Sequence, residues 1–404
     1  MPSPTAASGR LFIAALVAIT SLGPLALQLF VPSLPAIARD FGVSIGTAQY
    51  AFSLSMVAIA FATLVYGPLS DRYGRRPALL GGLSLFLIGT VVCALAPTIE
   101  MLIVGRILQA SGSASGLVIS RAVARDVYGP DRAASIIAYL TVAMILAPLL
   151  ALIIGGFFVD TVGWRYNFGF ALVCGIAVFA LMLAGLSETH HGPRIGIRPA
   201  DLVRNFGRLL RSGVFLGYAI HGAGAAGAFF AFAAGAPYLI TDVLGRPALE
   251  FSIYFGILSL FFMLANYLAG RYTRRIGLDR MVIWGGLFSV LCAILAIAVM
   301  AIWGLTPLAL FAPAALLWLG NGISMPNANA GAINVDARLA GTASGLTAFL
   351  TMIAGAICSQ VVGSLADGTA WPLVLCVFVA TVISCVAGIL PAWLRRRAQA
   401  GAAA

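Results

Sequence analysis

Residues 67–77 read Gly-Pro-Leu-Ser-Asp-Arg-Tyr-Gly-Arg-Arg-Pro, and this stretch decides the fold of the chain. It gathers four charged side chains and several turn-forming residues, and an apolar segment of about 20 residues lies on each side of it. Gly67 and Gly74 predict turns on the two sides of Asp71. We therefore predict a short, arginine-rich hairpin that joins two membrane-spanning helices on the cytoplasmic side.

Composition places the rest of the chain in the membrane as well. Of the 404 residues, 61% are apolar and 9% are charged, whereas about a quarter of the residues of a soluble domain are charged. The mean hydropathy of +1.02 excludes a water-soluble globule. Apolar windows of about 20 residues predict an all-α membrane protein with twelve transmembrane helices. Numbered one to twelve, the predicted spans are 11–35, 46–68, 77–97, 100–121, 134–158, 165–187, 213–237, 249–270, 280–302, 307–331, 341–364 and 371–394.

The basic residues predict the orientation of these spans. All 24 are arginines, and with the N-terminus inside the cell 20 of them fall in cytoplasmic segments. Three lie outside, at Arg39, Arg165 and Arg246, and Arg106 lies within span four. By the positive-inside rule we expect a multi-pass inner-membrane protein with both termini in the cytoplasm. The net charge of +11 then reflects contact with the lipid bilayer, and we expect no nucleic-acid partner.

The start of the chain and its cysteines allow simple interpretations. Arg10, the apolar run after it and Ala36-Ile37-Ala38 imitate a signal peptide, but the run exceeds the 7–15 apolar residues typical of a signal. We expect an uncleaved first helix. The six cysteines are scattered through apolar spans without a close pair, which favours neither a disulfide framework nor a metal site. We expect no cofactor.

The longest polar connection, between spans six and seven, divides the chain into two halves. The predicted domains are residues 1–187, a cytoplasmic linker at 188–212, and residues 213–404. Leu202, Phe206 and Leu209 recur in the linker at helical spacing, which favours a helix on the anionic inner leaflet, with a solvated loop as the alternative. Residues 271–280 occupy in the second half the place of residues 67–76 in the first, and internal repeats are typical of secondary transporters.

Together, these features resemble the major facilitator superfamily over essentially the whole chain. The residues that carry the resemblance are the loop Gly67-x-Leu69-x-Asp71-Arg72-x-Gly74-Arg75-Arg76 and Arg106 within span four. Further segments resemble the Bcr/CflA branch of drug/proton antiporters: Pro32-Ser33-Leu34-Pro35, Arg125-Asp126, Ala147-Pro148-Leu149-Leu150 with Gly155-Gly156, Gly163-Trp164-Arg165, and Gly341-Thr342-Ala343-Ser344-Gly345. The resemblance implies two pseudo-symmetric six-helix bundles that work by alternating access, and we expect a monomer.

The resemblance also implies a gate. The family's aspartate docks beside span eleven, so Asp71 would lie near Gly341 and Thr342. Independently of the family, Asp126 at the inner end of span four predicts a pairing with Arg75 and Arg76. An ordinary positive-inside hairpin is the alternative, and it explains the arginines but not Asp71. The predicted gating residues are Gly67, Asp71, Arg72, Gly74, Arg75, Arg76, Arg125, Asp126, Gly341 and Thr342; Pro148, Gly155 and Gly156 are predicted to serve helix packing.

A second group of polar residues predicts a substrate cavity. Arg106 within a span is energetically expensive, so we expect it to face a polar interior, with snorkelling to the outer interface as the alternative. For each amide, an interhelical hydrogen bond is the simpler interpretation. The predicted cavity residues are Gln28, Arg106, Gln109, Ser113, Tyr218, His221, Tyr238, Asn266, Asn321, Ser324 and Asn327.

The acidic residues bear on the substrate. All thirteen lie at the ends of spans or in loops, and Gln28 stands where related antiporters commonly carry an acid. We therefore predict multidrug efflux of small amphipathic compounds, neutral or anionic, with protons as the coupled partner. Proton coupling would use His221, the Asp71 and Asp126 cluster, or Asp336, although a lone buried histidine is more often structural.

Other functions remain as alternatives. A metabolite uniporter or importer of the same fold is the alternative within transport. An intramembrane enzyme is less favoured, because the chain has no HExxH motif, no embedded acid pair and no catalytic residue that we can identify. A receptor would bind a ligand without transporting it.

Overall fold

The computed structural model describes residues 6–189 and 199–403. Within these residues, twelve helices are long and apolar enough to cross a membrane, which confirms the predicted fold class. In order, spans one to twelve are Phe12–Phe41, Ile45–Tyr73, Arg75–Ala94, Ile99–Gly129, Tyr139–Thr161, Arg165–Gly185, Gly213–Val243, Ala248–Ile276, Leu278–Trp303, Pro307–Ile333, Ala340–Ser364 and Trp371–Arg397.

Several spans are longer than their apolar cores. Span one runs as a helix from Ala6–Phe30, tightens into a 3₁₀ turn at Val31–Ser33, and continues through Leu34–Phe41. Pro32 lacks a backbone N–H, so an α-helical hydrogen bond is missing at this turn. Span four extends to Gly129, whose φ of 69° and ψ of 173° separate it from the chain that leads to span five.

The decisive hairpin is tighter than predicted. The helix Ile45–Tyr73 runs directly into the helix Arg75–Ala94, and the joint is Gly74, with φ 105° and ψ 155°. Gly67 is helical, so the predicted turn at Gly67 is wrong. The φ of Pro68 suits a helix, and the helix continues through this residue despite the lost hydrogen bond and the crowding of the carbonyl four residues earlier. Asp71 therefore lies in the last turn of span two.

The same joint recurs in the second half of the chain. The helix Ala248–Ile276 runs into the helix Leu278–Trp303 through Gly277, with φ 94° and ψ 144°. A positive φ of this kind is easily adopted only by glycine, which explains a glycine at both joints. The two segments that the sequence analysis compared thus have matching backbones.

The linker contains a helix, Pro199–Leu210, while residues 190–198 of the linker, including His190 and His191, lie outside the described residues. Leu209 is only 2% exposed and belongs to an apolar cluster with Phe215, Tyr218 and Leu346, against which Phe206 also packs. Phe206 and Leu209 therefore pack against the ends of spans seven and eleven, and the helix makes the solvated loop wrong. Placement of the helix on the inner leaflet stays a prediction.

Contacts divide the chain into two compact units. The first comprises residues 1–44 and 50–197, and the second comprises residues 45–49 and 198–404. Spans one and four are the most buried of the first unit, and spans seven and ten are the most buried of the second. These four helices carry most of the predicted cavity residues.

Candidate functional site

In the first unit, Arg75 is the centre of a charged cluster at the joint of spans two and three. Its Nε donates to Asp126 Oδ2 at 3.0 Å, and its Nη1 donates to Ser70 Oγ at 2.7 Å and to Asp71 Oδ1. The Arg75 side chain is only 10% exposed. Because Asp126 belongs to span four, one guanidinium ties the ends of spans two, three and four.

Glu188, after span six, completes this cluster. Its Oε1 accepts a hydrogen bond from the backbone N–H of Arg75 at 2.9 Å, and its Oε2 accepts one from the N–H of Arg76 at 3.2 Å. These N–H groups are the unpaired donors at the start of span three, where the helix dipole favours a carboxylate. Glu188 was not among the predicted gating residues, because nothing local marks a residue 112 or 113 positions away along the chain.

The other predicted gating residues have different surroundings. Arg76 donates to the carbonyl of Leu183 at 3.1 Å and not to Asp126, so its predicted pairing is wrong. Arg72 lies over the ring of Tyr73, and Arg125 is exposed at the end of span four. Gly341 and Thr342 lie in the first turn of span eleven. The docking of Asp71 beside Gly341 and Thr342 would be a contact between the two units, and it stays a prediction.

Arg106 is buried inside the first unit. It is 2% exposed, which makes the snorkelling alternative wrong. Its Nη1 donates to Gln109 Oε1 at 2.6 Å and to the carbonyl of Ala26 at 3.3 Å, and its guanidinium lies 4.3 Å above the ring of Phe30. Gln109 Nε2 in turn donates to Thr90 Oγ1 at 2.9 Å. Nε and Nη2 of Arg106 have no hydrogen-bond partner among the described residues.

Among the neighbouring predicted residues, Gln28 has an unpaired polar atom, whereas Ser113 and Gly155 lie in helix contacts. Gln28 is 6% exposed and its Oε1 is buried without a partner among the described residues. Ser113 donates to the carbonyl of Ala110 and packs against Gly23 of span one, so the structure gives it a packing contact instead of a place in a cavity. Gly155 likewise lets span five approach Leu29 and Pro32 of span one closely. Pro148 and Gly156 lie in span five.

Two residues predicted for the cavity in the second unit lie in helix contacts. Tyr218 is fully buried, and its hydroxyl donates to Asp279 at the start of span nine; Arg395 at the end of span twelve donates to the same carboxylate at 3.1 Å. His221 is also fully buried, with Nδ1 2.9 Å from the carbonyl oxygen of Ser384 in span twelve. Both residues tie span seven to its neighbours, and their role in a substrate cavity stays a prediction.

The remaining amides and hydroxyls bond within their own helix or pack against a neighbouring one. Asn266 donates to the carbonyl of Phe262 in its own turn, and Asn327 accepts from Thr273 of span eight at 2.8 Å. Ser324 packs against Gly285 of span nine. Tyr238 lines a separate cavity of about 10 Å³, which is too small for an organic substrate.

A larger cavity of about 210 Å³ lies within the second unit. Asn321 is the only predicted residue in its lining, and Asn321 Oδ1 accepts a hydrogen bond from Ser289 at 3.2 Å. No described lining residue is ionisable. The lining consists of Ala225, Ala226, Phe229, Phe230, Phe262, Trp318, Asn321, Met325, Thr351 and Met352.

Sequence reasoning missed the aromatic and methionine residues of this cavity. Phe229 packs edge-on against Phe230, with ring centroids 5.1 Å apart, and lies 5.7 Å from the ring of Trp318. In an apolar span such residues do not stand out from those that face lipid. The one available signal was the combination of adjacent phenylalanines with Met325 and Met352, since flexible methionines are common in adaptable binding surfaces.

Comparisons with known proteins agree with this architecture. Residues 14–359 match the family model of the Major Facilitator Superfamily. The chain is 30% identical to multidrug resistance protein D of Escherichia coli over 85% of this chain and 86% of that protein. It is 28% identical to the bicyclomycin resistance protein homolog of Haemophilus influenzae over 93% of this chain and 95% of that one.

A solved structure shows the same fold. The crystal structure of a bacterial homolog of the human lysosomal transporter Spinster, in an inward-facing and occupied conformation, superposes with a TM-score of 0.78. It covers 97% of this chain and 98% of that chain at 16% identity. The resemblance drawn from residues 67–76 and Arg106 is confirmed. The chain belongs to the Major Facilitator Superfamily, whose members are membrane transporters.

Proposed function

We propose that this protein exports small amphipathic compounds, neutral or anionic, across the inner membrane by alternating access and in exchange for protons. The observation that carries the proposal is the cavity of about 210 Å³ in the second unit, lined by aromatic rings, methionines and two uncharged polar residues. Adaptable apolar walls with a few hydrogen-bonding groups suit compounds of varied shape.

Charge supports the choice of substrate class. A cation that enters this cavity loses water without meeting a carboxylate, since no lining residue is ionisable. In the first unit Arg106 is buried within a span, has no ion pair among the described residues and repels a second cation. A neutral compound meets neither penalty, whereas an anionic compound loses water in this cavity but is attracted by Arg106.

The direction of transport and the orientation of the chain in the membrane are supported by different observations. Two relatives that align with more than four fifths of this chain are named as drug-resistance proteins, which favours export. The concentration of arginines in one set of loops favours an inner-membrane protein with cytoplasmic termini.

We assign proton coupling to the cluster around Arg75. Asp71 and Asp126 both bond to its guanidinium, so protonation of either carboxylate weakens a contact that ties three helix ends. His221 is less suited to carry protons, because the residue is fully buried and burial without a carboxylate partner disfavours the charged imidazolium.

The test is transport by the purified protein in proteoliposomes with an imposed pH gradient. A matched pair of aromatic compounds, one uncharged and one carrying a quaternary ammonium group, is offered to the same vesicles. We expect flux of the uncharged compound, its loss when the pH gradient is collapsed, and little flux of the cation. Preferential flux of the cation contradicts the substrate class, and flux that ignores the pH gradient contradicts proton exchange.

A further inference from the structure

The joint of spans eight and nine carries an unneutralised group of arginines. Arg271, Arg274, Arg275 and Arg280 are all exposed, and none forms an ion pair with a described residue. Asp279 is the only acid in this segment, and it is already bonded to Tyr218 and Arg395. The joint therefore has a concentrated positive charge.

The equivalent joint in the first unit shows that this charge is not needed to build the hairpin. With Gly74 matched to Gly277, Asp71 stands at the place of Arg274, and Pro68 and Pro77 stand at the places of Arg271 and Arg280. Asp71, Asp126 and Glu188 also supply three carboxylates to that joint. The two joints thus have matching backbones but different charge: carboxylates neutralise the arginines of the first joint, and the second joint is strongly basic.

The arginines of span eight continue a stripe of exposed apolar residues. Ile253, Ile257, Leu260, Leu264 and Tyr267 recur at intervals of three and four residues, so they share one face of the helix. Arg271 and Arg274 follow at the same intervals. At 1.5 Å per residue, Arg271 lies about 27 Å along the helix from Ile253, close to the thickness of the hydrocarbon layer. Arg271 and Arg274 therefore stand at one end of an exposed apolar stripe that is long enough to cross the hydrocarbon layer.

Span nine repeats the arrangement in the opposite direction. Arg280 is followed by Trp284, Leu287, Leu291 and Ile294, all exposed and again three or four residues apart. Trp284 and Tyr267 have the amphipathic rings that prefer the membrane interface. Arginines of two consecutive helices thus stand at the head of two exposed apolar stripes, on either side of the Gly277 joint.

We propose that this joint is a binding site for the headgroup of an anionic phospholipid. Arg271, Arg274, Arg275 and Arg280 bind the phosphate oxygens, and Tyr267 and Trp284 contact the glycerol and upper acyl region. Guanidinium groups suit phosphate because they present several N–H donors in a planar fork. The site requires only that the spans cross a membrane, so it stands apart from the proposed substrate and direction of transport.

The experiment measures quenching of Trp284 by brominated lipids in vesicles that contain the full chain. The Trp284 signal is the difference between the protein and its Trp284→Phe variant, recorded with brominated phosphatidylglycerol and with brominated phosphatidylcholine. We expect the anionic lipid to bind at least about fivefold more tightly, the effect of a single arginine near an anionic surface. The triple variant Arg271→Gln, Arg274→Gln, Arg275→Gln is expected to lose this preference.

A control variant distinguishes lipid binding at this site from general electrostatic attraction between anionic lipid and a basic protein. Arg208→Gln, Arg211→Gln and Arg396→Gln together remove the same charge from other exposed arginines without ion pairs among the described residues. We expect this variant to keep the preference. Equal quenching by the two lipids, loss of the preference in both variants, or displacement of the lipid by inorganic phosphate alone overturns the proposal.

Discussion

Glu188 and Arg75 are joined by a hydrogen bond from the Arg75 backbone N–H to Glu188 Oε1 at 2.9 Å, across 113 positions of the sequence. The same carboxylate accepts from the N–H of Arg76. The start of span three is therefore capped by the segment that leaves span six, and the gating motif is anchored to the beginning of the linker.

Glu188→Gln is expected to lower the thermal stability of the detergent-purified protein, because the amide keeps one acceptor but loses the charge that faces the helix dipole. The loss should be about 1 kcal/mol, within the range for charges at helix N-termini. The control is Glu100→Gln, an exposed acid in the first turn of span four that makes no hydrogen bond to the helix start among the described residues. Equal effects of the two changes contradict the capping role.

Asp71→Asn and Asp126→Asn are each expected to reduce transport about tenfold while membrane insertion stays normal, because each breaks one bond of the Arg75 guanidinium. Arg75→Lys should reduce transport as well, since one ammonium cannot hold Asp71, Ser70 and Asp126 in the observed geometry. Flux in proteoliposomes and the amount of folded protein are the measurements. Normal flux by both asparagine variants shows that the cluster is not part of the gate.

Arg106→Met is expected to abolish transport but to raise the melting temperature by a few degrees. The guanidinium is buried with two unpaired nitrogens and no carboxylate among the described residues, so an apolar side chain of similar length removes a cost to folding. Arg165→Met serves as the control, because Arg165 bonds to Asp40 at 2.6 Å and its loss should not stabilise. A drop in melting temperature of Arg106→Met shows that the charge stabilises the fold.

Met352→Trp is expected to fill the cavity of the second unit and to weaken substrate binding at least about tenfold without loss of folded protein, because the indole occupies space that the substrate needs. Met101→Trp, on an exposed face of span four, is the matched control. Binding of a fluorescent substrate to the purified protein is the measurement. Unchanged affinity in Met352→Trp places the substrate elsewhere.

His221→Asn is expected to leave the pH profile of transport unchanged while lowering thermal stability by about 1 kcal/mol, because the ring ties span seven to Ser384 and carries no proton for the cycle. The profile is compared with that of Asp126→Asn, which should shift. A shift in His221→Asn and none in Asp126→Asn reverses the two assignments.

Much of the fold could be predicted because its signals are local. Twelve apolar windows predict twelve spans, since a backbone in lipid must bond within its own helix. The hairpin and its repeat could be located from arginines and glycines, although the turn placed at Gly67 was wrong because helical backbone continues through Pro68 to Tyr73. Arg106 could be singled out because a charge within a span is rare.

The site was harder to predict, because each of its parts depends on partners distant in sequence. Tyr218 and His221 were assigned to a cavity, yet their polar atoms meet Asp279 and Ser384 in other helices. Glu188 gave no local signal. Phe229 and Trp318 line a cavity that nothing in an apolar run distinguishes from a lipid-facing surface.

By itself, then, the sequence determined that this chain is a twelve-span membrane protein with a charged hairpin in each half, because hydrophobic length, backbone flexibility and buried charge act over short stretches. Only the tertiary structure decided which polar side chain faces a cavity, which ties two helices, and which arginine has a carboxylate. Those choices follow from the rotation of each helix against its neighbours, and residues far apart along the chain set that rotation together.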